Sequence, residues 1–252
     1  RIMSTTNTAP LCEAPDSAPR PPSKPLPQGS CDAHAHLFGP EERYPYQPER
    51  NYTPPDASRE SYVHLLRTLG FQCAVLVQPS VYGTDNSRMV DALAEAQEDP
   101  AGIEWRGVAV LDDDVSEAEL ERLHQLGVRG VRMNLVFRGG IDVATARRVA
   151  DRIAPLGWHM QFLVDISRFD DFAGFASSLP VQSVVDHMGH MPAELGPRHR
   201  AFRDLLALLR EGRTWVKLSG PNRITSGKLP PFYDVDRLAV ALIETAPERL
   251  VF

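Results

Sequence analysis

Short, nearly continuous apolar runs alternate along most of this chain with longer amphipathic stretches. The runs are Ser30–Gly39 (SCDAHAHLFG), Gln72–Gln78 (QCAVLVQ), Trp105–Leu111, Val128–Asn134, Trp158–Asp165, Gln182–His187, Thr214–Gly220 and Arg249–Phe252. The stretches between them predict helices over 58–69, 86–97, 116–126, 143–156, 169–178, 200–210 and 235–245. Gly70 and Gly127 stand where two of these should stop, and Ser116 with Glu119 has the spacing of a capping box. Strands this apolar are buried on both faces, and their alternation with helices implies a parallel sheet. Seven such units and the start of an eighth predict an α/β fold of the (β/α)8 TIM-barrel class. A doubly wound open sheet is the alternative. No Gly-rich phosphate loop follows an early strand, which weighs against it.

The pattern also divides the chain. Residues 1–28 are rich in Pro, Ser, Thr and Ala and hold few large apolar groups, so they are expected to form a disordered or extended arm. Residues 29–252 are expected to form one barrel. Its eighth strand is cut short at Phe252, so the natural chain is expected to continue.

Composition narrows the function. Of 252 residues 42% are hydrophobic and 24% charged, and the formal net charge is -6. That balance, with no Lys/Arg cluster, argues against a nucleic-acid partner. No apolar run is long enough for a membrane span, and no secretory leader is evident, so a cytoplasmic protein is expected. Three cysteines at 12, 31 and 73 form no framework. Nothing in the pattern reports on oligomeric state.

In a (β/α)8 barrel the active site lies at the C-terminal strand ends, and that rule sorts the polar residues. His34 and His36 end the first strand; being two apart, their side chains point the same way. Such a pair can ligate a metal or donate hydrogen bonds to an oxyanion. Ser80 follows strand two, Arg132 ends strand four with Arg138 beyond it, His187 ends strand six, and Arg223 follows strand seven. Three guanidiniums at one mouth favour a small anionic substrate. Tyr52, in the long loop after strand one, can cap that mouth. Asp186 is expected on the opposite face from His187, His190 in a supporting or surface role, and His159 and the tryptophans in packing.

The motifs CDAHAHLFGP, RNYTPPDA, QPSVYGTDN, GVRGVRMN, VVDHMG and VKLSGPNR together resemble the amidohydrolase superfamily. More narrowly they are similar to the family of 2-pyrone-4,6-dicarboxylate lactonases, which act in aromatic-compound breakdown. The resemblance runs from about Ser30 to the end. It implies a hydrolase that opens a carboxylate-bearing lactone. His34, His36 and His187 would polarise the carbonyl; Arg132, Arg138, Arg223 and Tyr52 would bind the carboxylates, with Ser80 assisting. The general base would be an aspartate just beyond Phe252. It implies no cofactor, and no histidine or lysine ends strand five to complete a familiar metal set. The alternative is one zinc ion at His34, His36 and His187. The rival functions are a sugar lactonase, a metal-dependent decarboxylase on the same scaffold, or a non-catalytic dicarboxylate-binding protein.

Overall fold

The structure is a computed structural model that describes residues 9–135 and 142–252. Its elements, in chain order, are β1 (Cys31–Ala35), α1 (Arg59–Leu69), β2 (Cys73–Val77), α2 (Ser87–Glu98), β3 (Glu104–Ala109), α3 (Glu117–Gln125), β4 (Val128–Asn134) and α4 (Val143–Ile153). They continue with β5 (His159–Leu163), α5 (Phe172–Ser177), β6 (Ser183–Val185), α6 (Arg200–Glu211), β7 (Thr214–Lys217), α7 (Pro221–Ile224), α8 (Tyr233–Thr245) and β8 (Leu250–Val251). The eight strands succeed one another in the sheet in chain order. The pairs β1–β2 and β2–β3, and each pair from β4–β5 to β7–β8, are parallel. Helices separate the strands, so the fold is of the (β/α)8 class, as the apolar runs predict.

Two compact units make up the chain. One comprises the described residues up to Val110 with Glu121–Val128; the other comprises Leu111–Leu120 with Arg129–Phe252. In the first, Leu66, Leu76, Leu93 and Val108 are almost fully buried. Each such side chain contributes roughly 1.5–3 kcal/mol of apolar burial. α1 begins where the Ser58 side chain accepts a hydrogen bond from the Ser61 N–H, and stops at Gly70, whose φ of 88° is left-handed. A second apolar centre lies under the long loop after β1, where Tyr44, Tyr46, Val81 and Tyr82 are buried and Phe38 and Tyr52 pack against them.

In the second unit Met133, Met160, Phe162, Val185 and Val216 are fully buried strand residues. Ala146, Val149, Ala150 and Ile153 give α4 a helical stripe of buried positions. Its first turn is closed by Asp142, whose side chain accepts from the Thr145 N–H.

Two local expectations change. β1 ends at Ala35, so His36 stands in the loop that follows. β6 ends at Val185, and Asp186 and His187 lie beyond it. The arm is extended where described: Thr53 N–H donates to the Pro10 carbonyl at 2.7 Å, Cys12 N–H donates to the Thr53 carbonyl at 3.1 Å, and Thr53 Oγ1 lies 3.0 Å from the Ala9 carbonyl.

Candidate active site

The candidate residues fall in both units. In the first, β1 delivers its histidines through an irregular stretch: the β1–β2 register shifts between Asp32 and Ala35. Asp32 secures that stretch. Its carboxylate accepts the His34 N–H at 3.1 Å and the Tyr62 hydroxyl at 2.9 Å. The His34 and His36 rings meet edge to face with centroids 4.9 Å apart, so the two do project together.

Nδ1 of His36 lies 2.7 Å from the Val77 carbonyl oxygen at the end of β2. A carbonyl only accepts, so Nδ1 carries a proton; Nε2 is then a lone pair in the neutral ring and a second donor in the imidazolium. Phe38 lies 5.9 Å from the His36 ring and 6.4 Å from that of Tyr52. Tyr52 is thus linked to His36 through one intervening aromatic ring. Ser80 is exposed and opens a single 3-10 turn after β2. Gln78, just before it, donates to the carbonyls of Gly83 and Asp85 at 3.1 and 2.7 Å, which fixes that loop.

In the second unit the chain after β6 makes an uncommon turn. His187, Met188, Gly189 and His190 have φ of 49, 53, 74 and 48°. Non-glycine residues in this region cost of order 1–3 kcal/mol each and persist where their surroundings fix them. Here the Gly189 N–H donates to the Asp186 carbonyl, and the Ile166 N–H donates to the Gly189 carbonyl, both at 3.0 Å. Gly189 is also forced by space, since a Cβ there would lie 2.9 Å from Cδ1 of Ile166.

The turn presents His187 half-buried, with Nδ1 2.9 Å from the Ser219 hydroxyl and its ring 5.3 Å from that of His190. Burial, with the charges of Arg223 and Arg132 adding, pushes the His187 imidazole down to about 4, while Asp186 acts in the opposite sense. His187 is therefore neutral at pH 7. Burial and Arg223 likewise push His190 down to about 4, so His190 belongs with this group and not with the surface. Arg223 is exposed on α7. Arg138 lies outside the described residues.

Asp186 corrects the sequence reading. It is fully buried and does not point away from the candidate residues: its Oδ2 lies 3.2 Å from Nη2 of Arg132 and accepts from Nε2 of Gln161 at 3.1 Å. Nζ of Lys217 stands 3.6 Å from Oδ1. Burial alone would raise the carboxyl, but Arg132 and Lys217 hold it below the ordinary carboxylate value. Gln161 and Lys217 were not singled out by the sequence pattern. A lysine inside an otherwise apolar strand, Thr-Trp-Val-Lys, was the available signal.

Asp165 is engaged locally, its Oδ1 accepting the Ser167 N–H at 3.0 Å and the Ser167 hydroxyl at 2.6 Å. His159 is half-buried at the opposite strand end, beneath Gly130, where a Cβ would stand 2.5 Å from its ring. A concavity of about 520 Å3 lies at that end too, lined by His159, Gln182, Val184, Trp215 and Val251 among others.

Comparison with known proteins gives the class and the family. The amidohydrolase family profile matches residues 31–252. A 2-pyrone-4,6-dicarboxylate hydrolase of Comamonas testosteroni is 38% identical over 245 residues, covering 92% of this chain and 78% of its own. A 4-sulfomuconolactone hydrolase of Hydrogenophaga intermedia is 32% identical over 247 residues, covering 97% and 80%. A crystal structure from Pseudomonas putida, proposed to be a 2-pyrone-4,6-dicarboxylic acid hydrolase, superposes with a TM-score of 0.74 at 34% identity, over 90% of this chain and 82% of its own. The chain belongs to the amidohydrolase family, a family of enzymes. Among the described residues no helix is long and apolar enough to cross a membrane.

Proposed function

We propose that this enzyme hydrolyses a lactone bearing carboxylate groups, with 2-pyrone-4,6-dicarboxylate as the representative substrate. The observation that carries the reading is His187. It is a neutral imidazole, held at Nδ1 by Ser219 on a strained turn, with Arg132 and Arg223 both acting on its electrostatics. The names of the relatives, each a hydrolase of an acidic lactone, support the same substrate class.

In this mechanism Arg132, Arg223 and Arg138 take the substrate carboxylates in two-point bonds and so fix the position of the lactone carbonyl. Tyr52 closes over the bound ring, and Ser80 donates to it. His187 and His34 stabilise charge on the carbonyl oxygen as water attacks, and His36 joins them in its doubly protonated form, since its Nδ1 proton is held by the Val77 carbonyl; removing one such group costs about 3–4 kcal/mol of barrier. If Ser219 donates to Nδ1 of His187, the Nε2–H of that ring is the donor to the oxyanion. The resemblance supplies the base as an aspartate beyond Phe252, which takes the water proton as the new C–O bond forms and returns it to the ring oxygen as the lactone C–O bond breaks.

His36 favours a second reading. Its protonated Nδ1, bound to the Val77 carbonyl, leaves Nε2 as a lone pair, the arrangement usual for a metal-ligating histidine. His34, His36 and His187 would hold a zinc ion, which would polarise the carbonyl as a Lewis acid.

The test uses the natural full-length protein. Ring opening of 2-pyrone-4,6-dicarboxylate is followed by NMR beside a neutral sugar lactone, before and after chelator treatment. The proposal expects turnover of the dicarboxylate, and little of the neutral compound, in chelated enzyme. Turnover of neither lactone sinks it. Activity that disappears with one tightly held zinc per chain selects the second reading.

A further inference from the structure

Four polar side chains in the second unit form one buried layer. Arg132 comes from β4, Gln161 from β5, Asp186 from just past β6, and Lys217 from the end of β7. Their exposures are 7, 1, 0 and 2%. Arg132 and Gln161 are direct partners in the β4–β5 register. The Asp186 carboxylate is the hub. Its Oδ2 accepts Nε of Arg132 at 3.3 Å, lies 3.2 Å from Nη2 of the same guanidinium, and accepts Nε2 of Gln161 at 3.1 Å. Nζ of Lys217 sits 3.6 Å from the other oxygen.

Such a layer is a poor way to stabilise a core. Well-packed apolar side chains of similar volume commonly do as well or better than a buried ion pair. What the layer does supply is geometry. An arginine has several freely rotating bonds, and the sharing of one carboxylate oxygen by Nε and Nη2 pins that edge of its guanidinium. The Nη1 side is then held pointing away from Asp186. Asp186 also accepts the Gly189 N–H with its own carbonyl, so the residue that orients Arg132 begins the turn that presents His187.

We propose that Asp186 is a positioning residue for substrate recognition: assisted by Gln161 and Lys217, it holds the Arg132 guanidinium where a substrate carboxylate meets it. The proposal rests on the reading of Arg132 as a carboxylate anchor. Asp186 itself takes no part in bond making.

The experiment is a double-mutant cycle on the full-length enzyme with 2-pyrone-4,6-dicarboxylate, reading KM and kcat separately, with folding checked by circular dichroism. Asp186→Asn is expected to raise KM at least tenfold with kcat within threefold of wild type. Arg132→Met is expected to raise KM similarly, and the double variant no further than Arg132→Met alone. A purely structural role predicts lowered stability with KM unchanged, or effects that add in full; either result overturns the proposal. Should Asp186→Asn fail to fold, Gln161→Met decides. It removes only the amide bond to Oδ2 and leaves the charges paired. A threefold or larger rise in KM supports the proposal, and an unchanged KM overturns it. Failure of the underlying reading has a different signature: wild type does not open the dicarboxylate, or Arg132→Met leaves KM unchanged.

Discussion

Nδ1 of His187 and Oγ of Ser219 lie 2.9 Å apart, joining the turn after β6 to the loop after β7. This contact fixes which ring nitrogen faces the protein and leaves Nε2 for chemistry. Ser219→Ala removes it. A single hydrogen bond of this kind is worth about 0.5–1.5 kcal/mol, so kcat should fall roughly two- to tenfold with KM little changed. Steady-state kinetics on the dicarboxylate lactone check this; an unaltered kcat would mean that the contact does not orient the ring.

Gly220 guards the same imidazole from the other side. Its φ is 67°, and a Cβ there would stand 3.0 Å from both Cβ and Cγ of His187. Gly220→Ala should therefore cost about 1–2 kcal/mol for the left-handed backbone alone, and should also displace His187. The expected result is a melting temperature lower by several degrees and a kcat reduced more than in Ser219→Ala. A variant with wild-type kinetics would show that His187 is not needed at its present position.

The pH–rate profile follows from the state of His187. With the imidazole held down to about 4, the neutral ring persists well below the ordinary histidine value near 6.5. Activity should stay level from neutral pH down to about 5 and fall only near 4. An acid limb centred near 6.5 would place the essential proton on a histidine in an ordinary environment.

Stability should respond over a different range. Burial holds His159, His187 and His190 near 4 in the folded chain, whereas in the unfolded chain they titrate near 6.5. Above 6.5 neither state binds these protons and the stabilisation is complete. As pH falls from 6.5 towards 4 the unfolded state gains protons first, and stability is lost. The urea midpoint should be flat above neutrality and drop below 6.5, and His159→Gln should remove about one proton from that slope. A midpoint independent of pH across this window would contradict the buried state of these rings.

The fold was legible because its strands are apolar on both faces and its helices amphipathic, two patterns that a sequence displays directly. The pairing of His34 with His36 was legible too, from the two-residue period of an extended chain. Asp186 was misplaced for a physical reason. Counting alternate residues back from an inward His187 sends Asp186 outward, but the left-handed turn that begins at His187 breaks the period at that point. Only Gly189 announced such a turn, and one glycine does not reveal that its neighbours share its backbone conformation. Lys217 and Gln161 are silent in the sequence because a polar residue in a strand acquires meaning only from what neighbouring strands place beside it.

Thr53 follows Tyr52 directly, and its hydrogen bonds to Ala9, Pro10 and Cys12 tether the loop to the arm. Tyr52 is therefore not an independently hinged flap. A displacement of the loop backbone at Tyr52 must either carry residues 9–12 with it or break those hydrogen bonds, so a cap formed by Tyr52, as proposed, would open by side-chain rotation or together with a segment some forty residues upstream in the chain.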